Sequence, residues 1–355
     1  PMSDALRDLL EENNKLRAEV ARLTEERRKH EEQISQLSES LADLQLFIDN
    51  QASQYTSKFA KEFKVESILG TGLGGCVFEA KNVLDERKYA MKRIHVDPND
   101  AKIAKTLREV RAMAQLDHPN IVRYNSTWIE EPPRGWQRNA DAETLTTINP
   151  KARDRDEMRN YSDDSFFIYI QMQICNYSLE DWLSSNMTKE SRNKYRMKGW
   201  FKQMVNAVHY IHERKLIHRD LKPLNILFAD RETIKICDLG IVVEKNVESG
   251  EEVTMTRTGT GTEMYMSPEQ RALVSLNVSH ITSASDVFTL GLILCELFFV
   301  MDEYEKGKMF DKYRAGKADV TFDDARTAEF IGKLTVLDRK KRLTCKQMLD
   351  HMYLS

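Results

Sequence analysis

The chain has 355 residues, 41% hydrophobic and 31% charged, which suffices for one large two-lobed domain, or two modest ones, plus an appendage. Its formal net charge of −3 excludes a general electrostatic attraction to nucleic acid or to an anionic membrane. The five cysteines form no C-x-x-C pair, so the sequence indicates neither a zinc site nor a disulfide framework, and we expect reduced thiols in the cytosol. The longest apolar segment, residues 287–301, is shorter than the roughly 20 residues of a membrane span and predicts a buried helix.

Residues 1–62 carry a seven-residue repeat that is typical of a coiled coil. The two core positions of the repeat are apolar except at Asn13, Arg27 and His30, and residues 16–23 resemble the leucine zippers of transcription factors. Branched residues at one core position and leucine at the other favour two parallel strands, with Asn13 fixing the register. No basic helix precedes the repeat, which argues against a DNA-binding zipper. We therefore predict a dimerisation segment; a single solvated helix is the alternative.

A glycine-rich segment, residues 70–75, lies between two predicted strands at residues 63–69 and 77–81. A dinucleotide-binding fold would place a helix directly after such glycines, whereas here a second strand follows. Glycines in a hairpin let backbone amides approach phosphate groups without Cβ clashes. The sequence therefore predicts a phosphate-binding hairpin.

Lys92 lies in a predicted apolar strand, residues 89–94, where a lysine without a partner would be unfavourable. The next predicted helix, residues 103–116, carries Glu109 on its apolar side. We predict an ion pair between Lys92 and Glu109; a solvent-exposed helix charge is the alternative for Glu109.

The segment from 130 to 164 is a polar insert with several prolines and no hydrophobic periodicity. Such a composition inside a domain is typical of an insertion or of disorder. We therefore predict weak or absent order there, with Trp136 packing locally.

Residues 218–225 place a carboxylate, a cationic amine and an amide within eight positions, at Asp220, Lys222 and Asn225. A second carboxylate, Asp238, follows a short apolar strand. These are the groups needed to orient a hydroxyl, neutralise a phosphoryl group and hold a magnesium ion.

The order and spacing of these motifs resemble those of eukaryotic protein kinases over residues 63–354. The catalytic loop fits H-R-D-x-x-x-x-N, and a lysine after H-R-D-L resembles serine/threonine kinases rather than tyrosine kinases. The sequence Asp-Leu-Gly stands where D-F-G is usual, so an aromatic contact is lost but no catalytic group. More narrowly, residues 170–175, residues 265–270 and the long insert resemble the kinases of the alpha subunit of translation initiation factor 2.

The resemblance implies an α+β fold, the bilobal protein kinase fold, preceded by a long coiled-coil helix. Residues 1–62 would be the dimerisation segment, and residues 63–355 the kinase domain. Within that domain, residues 63–175 would form a small β-rich N-lobe that contains the insert, and residues 176–355 a large helical C-lobe.

The resemblance also assigns roles to single residues. Asp220 would act as the base that orients the substrate hydroxyl, and Lys222 would neutralise the transferring phosphoryl group. Asn225 and Asp238 would bind Mg²⁺, and Glu109 would hold the ATP-binding lysine. The ATP-binding residues implied by the resemblance are Gly70, Thr71, Gly72, Gly75, Val77, Ala90, Lys92, Met172, Gln173 and Cys175.

Arg219 precedes the catalytic aspartate, and kinases with this arginine usually require a phosphate on the loop of residues 241–266. We predict phosphorylation at Thr256 or Thr258 and expect Thr262 to shape the substrate groove; ordinary loop threonines are the alternative.

Two supporting contacts are expected in the C-lobe. Glu269, in the sequence Ser-Pro-Glu where kinases have A-P-E, should pair with Arg342. Asp286, at the start of the predicted buried helix, should cap the backbone of the catalytic loop.

The function implied is that of an ATP- and Mg²⁺-dependent serine/threonine kinase that phosphorylates the alpha subunit of translation initiation factor 2 in the cytoplasm. Activation would follow dimerisation and autophosphorylation. The homodimer would form through residues 1–62, with the N-lobe as a second candidate surface, and neither nucleic acid nor membrane is an expected direct partner. The alternatives are a kinase with another substrate, a dimeric pseudokinase scaffold and a zipper-type DNA-binding protein. An active enzyme is favoured by retention of the set that pseudokinases usually lose in part, namely Lys92, Glu109, Asp220, Asn225 and Asp238.

Overall fold

The computed structural model describes residues 4–72, 75–97, 102–148, 161, 165–238, 242–243, 262–276, 281–317 and 324–354. The helices are α1 (Asp4–Gln54), α2 (Lys58–Glu62), α3 (Lys102–Ala114), α4 (Trp136–Ile148), α5 (Leu179–Ser185), α6 (Lys194–Glu213), α7 (Pro268–Leu276), α8 (Ser283–Phe298), α9 (Glu303–Arg314), α10 (Ala325–Leu334) and α11 (Cys345–Leu349). The strands are β1 (Phe63–Gly72), β2 (Gly75–Asn82), β3 (Lys88–Val96), β4 (Tyr124–Glu130), β5 (Phe166–Gln173), β6 (Tyr177–Ser178), β7 (Leu216–Ile217), β8 (Ile226–Phe228), β9 (Ile234–Ile236) and β10 (Val242–Val243). Short 3-10 turns lie at Pro223–Asn225 and Thr262–Tyr265.

The long helix α1 presents an apolar stripe to solvent. Every side chain described in it, over residues 13–40, is exposed, and surface ion pairs such as Arg28–Glu25 lie on its polar faces. The large apolar side chains at the predicted core positions are 51–70% exposed, and they are Leu16, Val20, Leu23, Ile34 and Leu37. A stripe of this kind is the seam that a second helix covers in a coiled coil. The helix over residues 13–40 therefore fits one strand of a coiled coil.

The end of the predicted dimerisation segment packs on the kinase domain. Helix α1 ends at Gln54, and the short helix α2 follows, capped by the Ser57 hydroxyl, which accepts a hydrogen bond from Ala60 N at 3.1 Å. Phe59 is buried, and its ring stacks on Tyr169 of β5 with centroids 4.8 Å apart. Residues 57–62 are therefore part of the N-lobe by packing, although the sequence placed the boundary after residue 62.

The N-lobe sheet separates two apolar layers. Its antiparallel strands have the order β1-β2-β3-β5-β4. On one face, which we call the inner face, Ile168 and Ile170 of β5 pack with Val110 of α3. On the other, the outer face, aromatic side chains of the sheet pack against α2 and α4. Successive strand residues point to opposite faces, so each strand serves both layers.

Helix α4 corrects the prediction that the insert lacks regular order. It covers 13 residues, and its first residue, Trp136, does pack locally, with its ring in edge contact with Tyr55 at 4.8 Å. The buried residues of the helix are Gln137, Asp141 and Leu145. Two of these three are polar, so hydrophobic periodicity could not reveal the helix. The other insert residues, 149–160 and 162–164, lie outside the described part of the chain.

The C-lobe is built around helices α6 and α8. Helix α8 covers most of the apolar segment predicted as a buried helix, and its residues 285–297 are buried. The predicted Glu269–Arg342 pair is present as two parallel bonds, with Nη2–Oε2 at 3.0 Å. The Arg342 side chain is fully buried and that of Glu269 is 11% exposed, and the pair joins the start of α7 to the segment before α11. Within the described ranges, no helix is long and apolar enough to span a membrane.

Candidate active site

The turn Pro223–Asn225 folds the catalytic loop back on itself. The Asn225 side-chain amide donates to the Asp220 backbone oxygen at 2.8 Å and to Asp220 Oδ2 at 3.0 Å. Lys222 Nζ lies 3.0 Å from the same Oδ2. Asp220 Oδ1 is buried and has no hydrogen-bond partner among the described residues. A buried carboxylate oxygen without a partner is unfavourable unless a ligand meets it, so the loop is arranged to receive a hydrogen-bond donor.

Asp286 holds the backbone of the catalytic loop, as predicted. Its carboxylate accepts hydrogen bonds from the backbone nitrogens of His218 and Arg219, each at 2.9 Å, and contacts His212 Nε2 at 2.8 Å. Burial acts to lower the pKa of His212, but hydrogen bonds with Asp286 and Cys345 outweigh it and raise that pKa to about 10. His212 is therefore an imidazolium at neutral pH, and its charge balances the buried carboxylate.

Asp238 lies beside the catalytic loop and contacts the N-lobe. Cys237 N donates to the Asn225 backbone oxygen at 2.9 Å, which brings the two predicted metal ligands together. Lys92 Nζ of β3 donates to Asp238 Oδ1. Burial acts to raise the pKa of Asp238, and the charge and hydrogen bond of Lys92 lower it below its usual range, so the carboxylate is ionised. Glu109, the predicted partner of Lys92, is in α3, but its side chain lies outside the described part of the structure.

The glycine-rich segment forms the predicted hairpin between β1 and β2, with Gly72 opposite Gly75. Gly75 has φ +108°, and a Cβ built on it would lie 2.0 Å from the backbone oxygen of Arg93. A Cβ on Gly70 would meet nothing within 4 Å. Glycine is thus required by geometry at position 75, where the hairpin presses on β3, whereas position 70 faces open space.

The predicted adenine-binding residues share the inner face of the sheet. Ala90 pairs with Met172 across β3 and β5, and it shares a face with Lys92 because the two are separated by one residue. Val77 of β2 lies opposite Lys92. Gln173 ends β5, and its backbone nitrogen donates to the Arg123 backbone oxygen at 2.9 Å.

The segment between the lobes follows Gln173 and carries Cys175. Burial raises the pKa of the Cys175 thiol to about 11, so it is protonated at neutral pH. Thr71, also predicted to bind ATP, pairs with Cys76 in the hairpin.

Arg219 has a guanidinium that is only partly satisfied. Its Nε is buried and has no partner among the described residues, and burial lowers the pKa of the group. Thr256 and Thr258, the predicted phosphorylation sites, lie outside the described ranges. Thr262 begins the turn Thr262–Tyr265, but its side chain is likewise outside them.

Residues 63–354 match the family described as the protein kinase domain. The chain belongs to the protein kinase family. Kinase relatives include the interferon-induced, double-stranded RNA-activated protein kinase of Mus musculus, which is 33% identical over 85% of this chain and 53% of that protein. The eukaryotic translation initiation factor 2-alpha kinase pek-1 of Caenorhabditis elegans is 24% identical over 84% of this chain and 45% of its own length.

A further kinase relative is eukaryotic translation initiation factor 2-alpha kinase 2 of Schizosaccharomyces pombe, 24% identical over 86% of this chain and 67% of that protein. The chain spans about half the length of the mouse and worm relatives. These matches bear out the sequence-based resemblance to serine/threonine kinases and to the kinases of initiation factor 2 alpha.

Protein kinases use ATP with Mg²⁺, and the side chains of this kinase fit both. Asp238 offers carboxylate oxygens and Asn225 an amide oxygen, which are the hard ligands that Mg²⁺ prefers. Asp238 and Asn225 would hold Mg²⁺, which would supply positive charge to offset that of the phosphates. Lys92, in contact with Asp238, is placed to pair with phosphate oxygens at the same point.

Asp220 and Lys222 divide the remaining work of this kinase. Asp220 Oδ2 is held by Lys222 and Asn225, and Oδ1 is the carboxylate oxygen that would accept the hydrogen bond of a substrate hydroxyl and then its proton. The ammonium of Lys222, 3.0 Å from that carboxylate, is in reach of the charge that develops during transfer.

Two contributors to the site were missed from the sequence. Arg93, adjacent to Lys92, is buried on the outer face and pairs with Asp141 of α4. The alternation of side chains along a strand could have revealed Arg93. An arginine next to an inward-facing lysine in an apolar strand must point into the opposite layer. Gln270 was also missed; its side-chain amide donates to the Arg219 backbone oxygen at 2.9 Å and so braces the catalytic loop.

Proposed function

We propose that this serine/threonine kinase phosphorylates the alpha subunit of translation initiation factor 2 in the cytoplasm. The proposal is carried by an intact catalytic cleft in a chain whose relatives are named as kinases of that factor. The sequence elements at residues 170–175 and 265–270 support the same substrate class.

A phosphotransfer assay tests the substrate. The purified alpha subunit and a generic basic protein are compared as acceptors at equal concentration, with Asp220→Asn as the control for contaminating activity. We expect at least tenfold preference for the alpha subunit, phosphate on serine, and no transfer by the variant. Equal use of both acceptors would reject the substrate, and transfer by the Asp220→Asn protein would reject the assignment of the base.

We also propose that the kinase is a homodimer through α1. The support is the exposed apolar stripe of residues 13–40, because such a seam is stable when a second helix covers it. Tethering two kinase domains raises their mutual concentration to roughly millimolar, which favours phosphorylation of one by the other.

Sedimentation of paired variants tests the dimer. Leu37→Lys places a charge in the stripe, whereas Gln36→Lys adds the same charge beside it. We expect Leu37→Lys to weaken dimerisation at least tenfold and to slow autophosphorylation at low concentration, with Gln36→Lys unchanged. A dimer that tolerates both substitutions equally would reject this interface.

Phosphorylation of Thr256 or Thr258 is proposed as the activating modification, with Thr262 shaping the substrate groove. The support is Arg219, whose buried Nε is without a partner among the described residues and suits a phosphate. Intact-mass measurement after incubation with ATP tests it. We expect added phosphate on the parent and its loss in a Thr256→Ala, Thr258→Ala double variant; an active parent of unshifted mass would reject the proposal.

A further inference from the structure

The outer face of the N-lobe sheet contains a buried ion pair between β3 and the insert. Arg93 and Asp141 are each at most 4% exposed and are joined by two parallel bonds, Nη1–Oδ1 at 2.6 Å and Nη2–Oδ2 at 2.8 Å. Asp141 also accepts hydrogen bonds from Gln137 at 2.9 Å and from the Tyr161 hydroxyl at 2.8 Å. A fully satisfied buried pair of this kind fixes one geometry, because moving either partner leaves a charge unpaired.

This ion pair acts on the strand that presents Lys92. Side chains alternate along β3, so the Arg93 side chain holds the strand from the outer face while Lys92 reaches Asp238 on the inner side. The Arg93 backbone oxygen is also the group that a Cβ on Gly75 would strike, so the same residue supports the glycine hairpin. One residue thus positions the two elements that meet the phosphates.

The first turn of α4 contacts the residue that follows α1. The ring of Trp136 packs against Tyr55 at 4.8 Å, and the Tyr55 hydroxyl donates to Glu130 Oε2 at 3.0 Å. Glu130 Oε1 accepts a hydrogen bond from Phe59 N at 2.8 Å. The first turn of α4 therefore contacts the residue that follows α1, and its second turn contacts β3.

We propose that α4 is a coupling element, in which Arg93 and Asp141 are positioning residues that set ATP affinity through Lys92 and the glycine hairpin, and Trp136 links them to the end of α1. Through the link to α1, dimerisation would change the affinity for ATP, and this part of the proposal rests on the proposed homodimer. The proposed positioning of Lys92 does not require dimerisation, and a measurement of ATP affinity alone tests it.

Nucleotide titration of the full-length chain with a fluorescent ATP analogue tests the proposal without any protein substrate. Asp141→Asn removes the charge that Arg93 needs, and Tyr161→Phe removes one hydroxyl while leaving the ion pair. Phe330→Leu, in the buried core of α10 in the C-lobe, is the control for loss of stability alone. All are measured well below their melting temperatures.

We expect ATP affinity to fall about tenfold in Asp141→Asn and twofold to threefold in Tyr161→Phe, with no change in Phe330→Leu. Trp136→Ala is expected to weaken ATP binding by loosening α4, although its ring contact is with Tyr55. Should Asp141→Asn fail to fold, Tyr161→Phe decides. Affinity changes no larger than in Phe330→Leu would overturn the positioning role, and an unchanged Trp136→Ala would overturn the coupling. A kinase that shows these losses but ignores initiation factor 2 alpha would refute the substrate only.

Discussion

Replacing Gly75 by alanine tests the geometry of the glycine hairpin most directly. The residue has φ +108°, where an L side chain is strained by about 1–3 kcal/mol. The added Cβ would also lie 2.0 Å from the Arg93 backbone oxygen, so the backbone of β2 or β3 must move. We expect a total loss of about 3 kcal/mol or more, because backbone atoms cannot rotate away as a side chain can.

The assay is thermal unfolding followed by far-UV circular dichroism, with ATP affinity measured in parallel. A loss of about 3 kcal/mol lowers the melting temperature by roughly 6–12 °C in a domain of this size. Gly70→Ala is the matched control, since its Cβ meets nothing within 4 Å. Gly75→Ala should also bind ATP more weakly, because the hairpin and β3 shift together. Equal melting temperatures for the two alanine variants would show that the hairpin does not press on β3 as described.

Three more outcomes are expected. Arg342→Met removes the buried guanidinium that pairs with Glu269, whose carboxylate keeps its hydrogen bond from Ser285 Oγ, and should lower the free energy of unfolding in urea by about 3 kcal/mol; a loss below about 1 kcal/mol would show that the pair contributes little to stability. His212 has its pKa raised from 6.5 to about 10 on folding, so its stabilisation is complete below pH 6.5 and is lost as pH rises through 10. Urea midpoints should fall between pH 7 and 10, and His212→Gln should flatten that fall; parallel curves would reject the imidazolium. Asp238→Asn should abolish phosphotransfer with an unchanged circular dichroism spectrum, and surviving turnover would reject Asp238 as a metal ligand.

The cleft could be predicted because its chemistry is local in sequence. The catalytic loop carries Asp220, Lys222 and Asn225 within six consecutive residues, so the spacing that suits the reaction can be seen in the sequence. The contact of Lys92 with Asp238 joins segments that are 146 residues apart, and it was not predicted from the sequence. The predicted pairing of Lys92 with Glu109 remains a prediction.

The helix of the insert could not be predicted because two of its three buried residues are polar. Asp141 occupies a position where a periodicity argument looks for leucine, and its partner Arg93 is far away in sequence. A buried charge is tolerated only when an opposite charge or hydrogen bonds compensate it, and the sequence alone does not show which residue does so. The sequence therefore predicted a loop without regular order. The sequence placed the boundary of the dimerisation segment after residue 62, and Phe59, inside that segment, packs on the N-lobe sheet. Phe59 fits a helical pattern equally well whether it faces a second helix or, as here, a sheet.

The thiol between the lobes has a consequence for inhibitor design. Cys175 follows Gln173 at the predicted adenine-binding edge, where the reactive group of a covalent, ATP-competitive compound would be aimed. Its raised pKa leaves very little thiolate at neutral pH, and the thiolate is the form that attacks acrylamides. A compound aimed at this thiol would therefore react slowly at neutral pH and faster as the pH rises towards 11.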